Sequence, residues 1–477
     1  MSLGLVLLLI YAALLLGLAV QAWRKASCLS VSGARTDIES AFFVNNRKSS
    51  ALGVALSIVV SCVGASATIG MIGMAFTLGT PAFWWLGAGC VGLTLLSWLL
   101  AKKVRDSGAM TMPQLVVTFL GKTARPMIAV IITLAWSAIL AAQFVAVTRV
   151  LESITELPTL PCLAFGFLLV VMHTLGGQAA IMHTDKLQAG IMLSALVILL
   201  IYLCAGNFAH NPVWLSTIRF EAVNADFSVQ TLFYYLFIVG GNYLVCPMLF
   251  GRFLSAKDAG QARLGGFMAV AGLALCALLI VGIGLACKGL LAPETAGDAV
   301  LTAALTTLTP AWMNLFISIA LVSAIVSSAD SCLVTAATVL AHDLLRCGRV
   351  GVSRICVVLL GFCGLALSFW GRGILDYLLM AYDIYVCGVV IPVFIGLLFY
   401  PRYRIKPVYA CVAVCAGAVF GLTAAIGGNN RFSYVGMLVA AVITLCGVYN
   451  SEKSAGACKL FSFFTPLGQK KDQQSSK

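Results

Sequence analysis

The chain has 477 residues, of which 61% are hydrophobic and only 10% charged, with a mean hydropathy of +1.02. A soluble domain carries about 25% charged residues, so this composition excludes a large soluble domain and predicts an all-α polytopic membrane protein. The net charge of +13 would suit nucleic acid, but the placement of the charges assigns them to membrane topology, and no nucleic-acid partner is expected.

About 13 apolar runs are long enough to span, which takes roughly 20 residues of helix. Their expected limits are 3–23, 51–77, 82–101, 126–148, 159–176, 186–206, 229–250, 266–287, 312–341, 355–371, 377–400, 408–426 and 432–449. The first run opens without basic residues and is followed by Arg24 and Lys25, the reverse of a cleaved signal peptide. It reads as a retained helix with its N-terminus outside. In that orientation all but five of the 30 basic residues fall on the cytoplasmic side, the exceptions being Arg149, Arg219, Lys288, Arg372 and Arg431. This is the positive-inside asymmetry. It predicts a cytoplasmic C-terminus and a multi-pass protein of the cell (inner) membrane, its basic loops facing anionic lipid. Trp84, Trp85, Trp214, Trp370 and Tyr400 stand where aromatic anchors are expected. The polar tail 451–477 is expected to be disordered and is too short for a sensor or kinase module.

Two spans are interrupted. The second contains Gly64-Ala65-Ser66-Ala67-Thr68-Ile69-Gly70-Met71-Ile72-Gly73, and the seventh contains Gly240-Gly241-Asn242 and then Pro247. Glycine and proline weaken a helix and free backbone groups, which at membrane depth must line a cavity or a site. Interruptions in matching positions of two halves point to a transporter. Here they are five spans apart, which divides the chain into a leading helix (3–23), a first repeat (51–206), a second repeat (229–400) and two trailing helices (408–449), all in one transporter domain of residues 1–450.

The ninth run carries Ala324-Ile325-Val326-Ser327-Ser328-Ala329-Asp330-Ser331. At 100° per residue, Ala324, Ser327, Ser328, Ser331, Thr335 and Thr338 share one stripe, with Asp330 beside Ser327. Hydroxyls alone are common helix-packing groups, but an acid at this depth marks function. A desolvated sodium ion wants oxygen ligands, and unwound carbonyls with helix hydroxyls supply them. The carbonyls around Val60 to Gly64 and the stripe at Ala324, Ser327 and Ser328 suit one cation site. A second, carboxylate-bearing site is open to Asp330 with Ser331 and to Asp185 in Thr184-Asp185-Lys186-Leu187-Gln188, although an acid at a helix start is often only a cap. Asp383 is a third intramembrane acid, placed either to meet a substrate cation or to bond a neighbouring hydroxyl. Solute contacts are expected from Ser66, Ala67, Thr68, Asn242, Tyr243 and Trp136. Aromatics with Asp383 lean towards an organic cation, neutral and anionic solutes staying open.

The 17 cysteines lie mostly in apolar runs, as small unpaired core residues. No HExxH, Walker loop or GxSxG occurs, so no enzyme is expected. These features together predict a sodium-coupled symporter importing a small organic solute. Alternatives are a proton-coupled transporter of the same fold, using Asp185 or Asp330, and a transporter-like sensor.

The chain resembles the sodium:solute symporter family. The likeness runs through Asn46-Arg47, Ile69-Gly70-Met71-Ile72-Gly73, Ala109-Met110-Thr111-Met112-Pro113, Gly176-Gly177, Thr184-Asp185-Lys186-Leu187-Gln188, Arg252-Phe253-Leu254-Ser255-Ala256-Lys257-Asp258-Ala259 and the Ala324–Ser331 stretch. It implies a LeuT-like inverted repeat of 5+5 helices, alternating access, and sodium as the bound ion. By position it implies a first sodium site from the carbonyls of Val60, Val63 and Ala324 and the hydroxyls of Ser327 and Ser328. A second, found in only some members, would use Asp185, Ser327, Asp330 and Ser331. The serine pattern is most similar to the choline-like branch, yet Cys246 stands where that branch places a tryptophan. The sugar branch's gating tyrosine position falls on Asn242, next to Tyr243.

Overall fold

The computed structural model describes residues 3–29, 35–155, 157–210 and 214–450. The expected tail, 451–477, lies outside the described residues, as do the side chains of Arg24, Lys25 and Trp214. In chain order the helices are α1 (Leu3–Leu29), α2 (Arg35–Val44), α3 (Ala51–Cys62), α4 (Met71–Leu78), α5 (Trp84–Leu95), α6 (Ala101–Asp106), α7 (Met112–Leu120), α8 (Ala124–Thr155), α9 (Thr159–Thr174) and α10 (Gly177–His210). They continue as α11 (Val229–Leu244), α12 (Pro247–Leu254), α13 (Ala259–Leu290), α14 (Val300–Thr307), α15 (Ala311–Val339), α16 (Val350–Ser368), α17 (Ile374–Tyr385), α18 (Ile391–Phe399), α19 (Pro407–Gly427) and α20 (Arg431–Cys446). Among the described residues, two short strands, β1 (Tyr403–Ile405) and β2 (Val448–Asn450), pair antiparallel.

Nine of the helical stretches are long and apolar enough to cross a membrane among the described residues, or ten with the bent pair Ala51–Cys62 and Ser66–Leu78. Three shorter apolar helices, Gly4–Leu18, Thr159–Thr174 and Arg431–Cys446, occupy the places of the remaining expected runs. Burial sorts the spans. In the most apolar stretch of α15, 94% of residues are inside the protein, against 33% for α10, α16 and α19. The polar stripe of α15 therefore lies at the centre of the bundle, packed against α3, α8, α9, α10 and α16.

Local sequence explains where the helices begin. Ser50, Thr111, Ser228 and Asp258 each accept the backbone N–H three residues on, at the starts of α3, α7, α11 and α13, as N-caps do. Pro247 stands at the first position of α12, where its missing N–H costs nothing. One expected boundary moves. The sixth span begins at Gly177 rather than 186, so Asp185 is two turns inside α10 and fully buried, not a cap at its mouth. Hydropathy missed these turns because the run Gln178 to Gln188 is polar, although α1, α2 and α3 cover it.

The second and seventh spans are broken. Between α3 and α4 the chain bends by 60°, passing through Val63-Gly64-Ala65 and a wide π-helical turn at Ser66–Gly70. Between α11 and α12 it leaves the helix at Val245 and is extended at Cys246. The glycines of the seventh span do not make this break. Gly240 lies in helix, where α11 meets α5 so closely that a β-carbon at Gly92 would overlap the Gly240 carbonyl. The start of the second span and the end of the seventh meet at one corner. Ser49 N–H donates to the Ser255 carbonyl (3.0 Å), and Lys257 N–H donates to the Ser49 carbonyl (2.9 Å).

Candidate ion and solute site

The bent span leaves backbone groups to be satisfied, and side chains from other helices do it. Ser328 on α15 donates its hydroxyl to the Ser61 carbonyl (2.8 Å). Gln143 on α8 accepts the Ala65 N–H (3.1 Å). Thr68 returns to Gly64, through both its N–H (3.0 Å) and its hydroxyl (2.9 Å). Across the bundle, the Tyr385 hydroxyl donates to the freed Val245 carbonyl (2.5 Å). The fit at the first break is tight: a β-carbon on Gly64 would collide with the Ser328 hydroxyl and the Gln143 amide. Val60, Val63, Ala324 and Ser327 are fully buried, and Ser328 is nearly so. The α15 stripe and the α3 break are thus in contact, an oxygen-rich seam closed to solvent.

One turn on from that seam is a charged cluster. Asp185 accepts the Ser327 hydroxyl on one oxygen (2.7 Å) and the Ser57 hydroxyl on the other. The guanidinium of Arg252, on α12, stands 3.5 Å from the second oxygen. It donates to Ser331 (2.5 Å) and to Ser61 (3.3 Å), whose hydroxyls are themselves 2.9 Å apart. Arg252 is 1% exposed, so a residue expected at the cytoplasmic edge is instead a core cation. A lone buried charge is expensive and is kept only when paired. Asp185 and Arg252 meet that condition for each other.

Asp330 turns the other way. Its two oxygens engage His173 Nδ1 and the Thr174 hydroxyl (2.9 Å to the latter), both at the end of α9. All three residues are fully buried. The structure therefore brings Asp185, Ser327 and Ser331 together and sets Asp330 on the far flank of α15. Asp383 is also engaged elsewhere. It accepts the Tyr234 hydroxyl (2.9 Å) and the Ser433 hydroxyl (2.7 Å), which ties α17 to α11 and α20.

A small cavity opens on the first break. Of the expected solute residues, Ser66, Trp136, Asn242 and Tyr243 line it, with Ser328 at its edge. Ala67, Thr68 and Asp383 do not. Trp85, Gln143 and Tyr382 line it as well. Trp136 is held edge-on to Tyr385, ring centres 4.9 Å apart.

Sequence reading missed His173, Arg252 as a site residue, Ser57, Ser61 and Gln143. Two had a signal. A histidine in Val170-Val171-Met172-His173 and an arginine in Leu249-Phe250-Gly251-Arg252-Phe253 are ionisable groups in apolar runs, which mark function by default. The serines and Gln143 had none, since their role comes from partners far along the chain.

A bundle with two opposed broken spans, each break facing a buried polar stripe or a cavity, has the architecture of a secondary transporter. The model of the sodium:solute symporter family matches residues 42–403. The chain belongs to the sodium:solute symporter family. No curated protein matches it. Solved structures share its fold. A Na+-coupled sialic acid symporter in a substrate-bound outward-open state is 13% identical, covering 92% of this chain and 96% of its own at a TM-score of 0.77. MhsT in complex with L-phenylalanine is 16% identical, covering 84% and 99% at 0.58. Mhp1, a nucleobase-cation-symport-1 family transporter closed on bromovinylhydantoin, is 13% identical, covering 89% and 96% at 0.58.

The placement of Asp383 gives a direct expectation. Asp383→Asn replaces a carboxylate that accepts two hydroxyls and should cost about 1–2 kcal/mol of stability. Solute affinity should not change. Thermal unfolding and solute binding measured on the same preparation check both, and a selective loss of binding would return Asp383 to the solute site.

Proposed function

We propose that the chain is a sodium-coupled symporter that imports a small organic solute by alternating access. The observation that carries this reading is the apposition of Ser327 and Ser328 to the break in the second span, through the Ser328–Ser61 bond. Hydroxyls and freed carbonyls form the donor set that a hard monovalent cation needs. Family membership supports the choice of sodium.

On this reading the first sodium is held by the carbonyls of Val60, Val63 and Ala324 and the hydroxyls of Ser327 and Ser328. The second would lie at Asp185, Ser327 and Ser331, where it has to share the carboxylate with Arg252. Asp330, committed to His173 and Thr174, is left out of that ligand set. Residues 51–206 and 229–400 are the two inverted repeats. Thirteen spans put the N-terminus outside and the C-terminus in the cytoplasm of a cell whose inner membrane holds the protein.

Uptake into proteoliposomes is the test. An inward sodium gradient should drive accumulation, and a pH gradient without sodium should not. Equal uptake with and without sodium would remove the claim. Asp185→Asn should flatten the sodium dependence from two ions towards one. An unchanged Hill slope would count against the second site.

A further inference from the structure

Resting on the reading of the central cavity as the solute site, we infer that its substrate is an uncharged polar compound that presents one hydrogen-bond acceptor and one donor. Two buried polar atoms at this cavity have no protein partner: the indole Nε1 of Trp136 and the amide Oδ1 of Asn242. Their residues are 2% and 4% exposed. An indole N–H can only donate and a carbonyl oxygen only accepts. Leaving either unpaired costs about 1–3 kcal/mol. The pair is therefore complementary to a ligand carrying an acceptor and a donor together.

The lining also bears on the charge. It contains no Asp, Glu, Lys, Arg or His. Each ionisable group nearby is already committed. Asp185 pairs with Arg252 behind Ser61, Asp330 is held by His173 and Thr174, and Asp383 by Tyr234 and Ser433. An ammonium would enter with no counter-charge, beside the proposed sodium and with only ring faces to meet it. A carboxylate would meet the Asn242 oxygen, which repels it. Desolvating either ion without a partner is costly. The remaining wall is aromatic, from Trp85, Trp136, Tyr243 and Tyr382, and suits a flat or apolar face on the same compound. The lean towards an organic cation rested on the aromatics with Asp383; the aromatic wall lines this cavity, whereas Asp383 is engaged away from it.

The test is ligand-induced thermal stabilisation of the purified full chain, with and without sodium. The probes are uracil, nicotinamide, glucose and myo-inositol (uncharged), proline (zwitterionic), lactate (anionic) and choline (cationic). At least one uncharged probe should raise the unfolding temperature saturably, and no charged one should. Trp136→Phe keeps the ring and removes the N–H, and it should weaken binding of the stabilising probe roughly tenfold. Asn242→Leu should do the same from the acceptor side. Stabilisation by charged probes alone, by none of the uncharged probes, or undiminished in both variants overturns the inference. Uncharged probes that bind equally without sodium would instead sink the coupling proposal and leave this one standing.

Discussion

Replacing Arg252 by alanine is expected to destabilise the protein by about 3–5 kcal/mol, the usual cost of removing one partner of a buried ion pair. The guanidinium is 1% exposed and stands 3.5 Å from Asp185, which is fully buried. Without it that carboxylate keeps only two hydroxyl donors, Ser57 and Ser327. Ser61 and Ser331 lose a shared donor at the same time. Lysine should not rescue, because one ammonium cannot reach Asp185, Ser331 and Ser61 in the fork that a guanidinium offers. The R252A/D185N double variant should recover most of the loss, since the charge left behind is then gone. Thermal unfolding of the four proteins forms a double-mutant cycle. A single variant as stable as the parent would show that the cluster is not held by charge.

Ser328→Ala is expected to raise the sodium concentration needed for half-maximal uptake by roughly tenfold, with a smaller change in apparent solute affinity. On the proposed reading the hydroxyl is a sodium ligand, and in this structure it also satisfies the Ser61 carbonyl at the edge of the break. Alanine removes both and adds no bulk. Ser328→Thr keeps the oxygen but adds a methyl where Gly64 and Gln143 already crowd the site, so intermediate behaviour is expected. Sodium titration of uptake at fixed solute checks this. An unchanged sodium response would take Ser328 off the ligand list.

The sequence carried the parts of this site that are local. A hydroxyl every three or four residues along α15 forms a stripe whatever surrounds it, and Gly64 with its neighbours marks a break because the helix is weak there. Both are consequences of spacing. Partner choice is different. Asp330 drew attention as a carboxylate beside Ser327, yet its bonds go to His173 and Thr174, 157 and 156 positions away. No periodicity within α15 tells which neighbouring helix faces its flank. Asp383 shows the same limit, since the two readings of it differ only in whether Tyr234 and Ser433 are near. Arg252 was placed at the membrane edge by charge counting, which assumes that a basic residue near a span end reaches lipid headgroups. Here Asp185 offers it a better partner inside. The break of the seventh span was expected from Gly240-Gly241-Asn242 and Pro247. The proline marks it, whereas Gly240 serves the close crossing of α5 over α11 and Gly241 faces Val386.

The corner at Ser49 has a mechanical meaning. Two backbone bonds, from Ser49 to Ser255 and from Lys257 to Ser49, clamp the start of α3 to the end of α12. Arg105 adds a strap to the Ala256 and Lys257 carbonyls (2.6 and 2.9 Å). On the proposed alternating-access reading, those two half-helices would swing as one lever. Any tilt of the lever against α4 and α11 has to be absorbed at its two pivots, Val63-Gly64-Ala65 and Val245-Cys246. The first pivot is the very stretch whose carbonyls are proposed to hold sodium. On that reading an ion seated there would act as a splint across the joint, stiffening it when present and releasing it when lost. Ion occupancy and lever angle would then be one variable, with no separate relay needed to connect binding with movement.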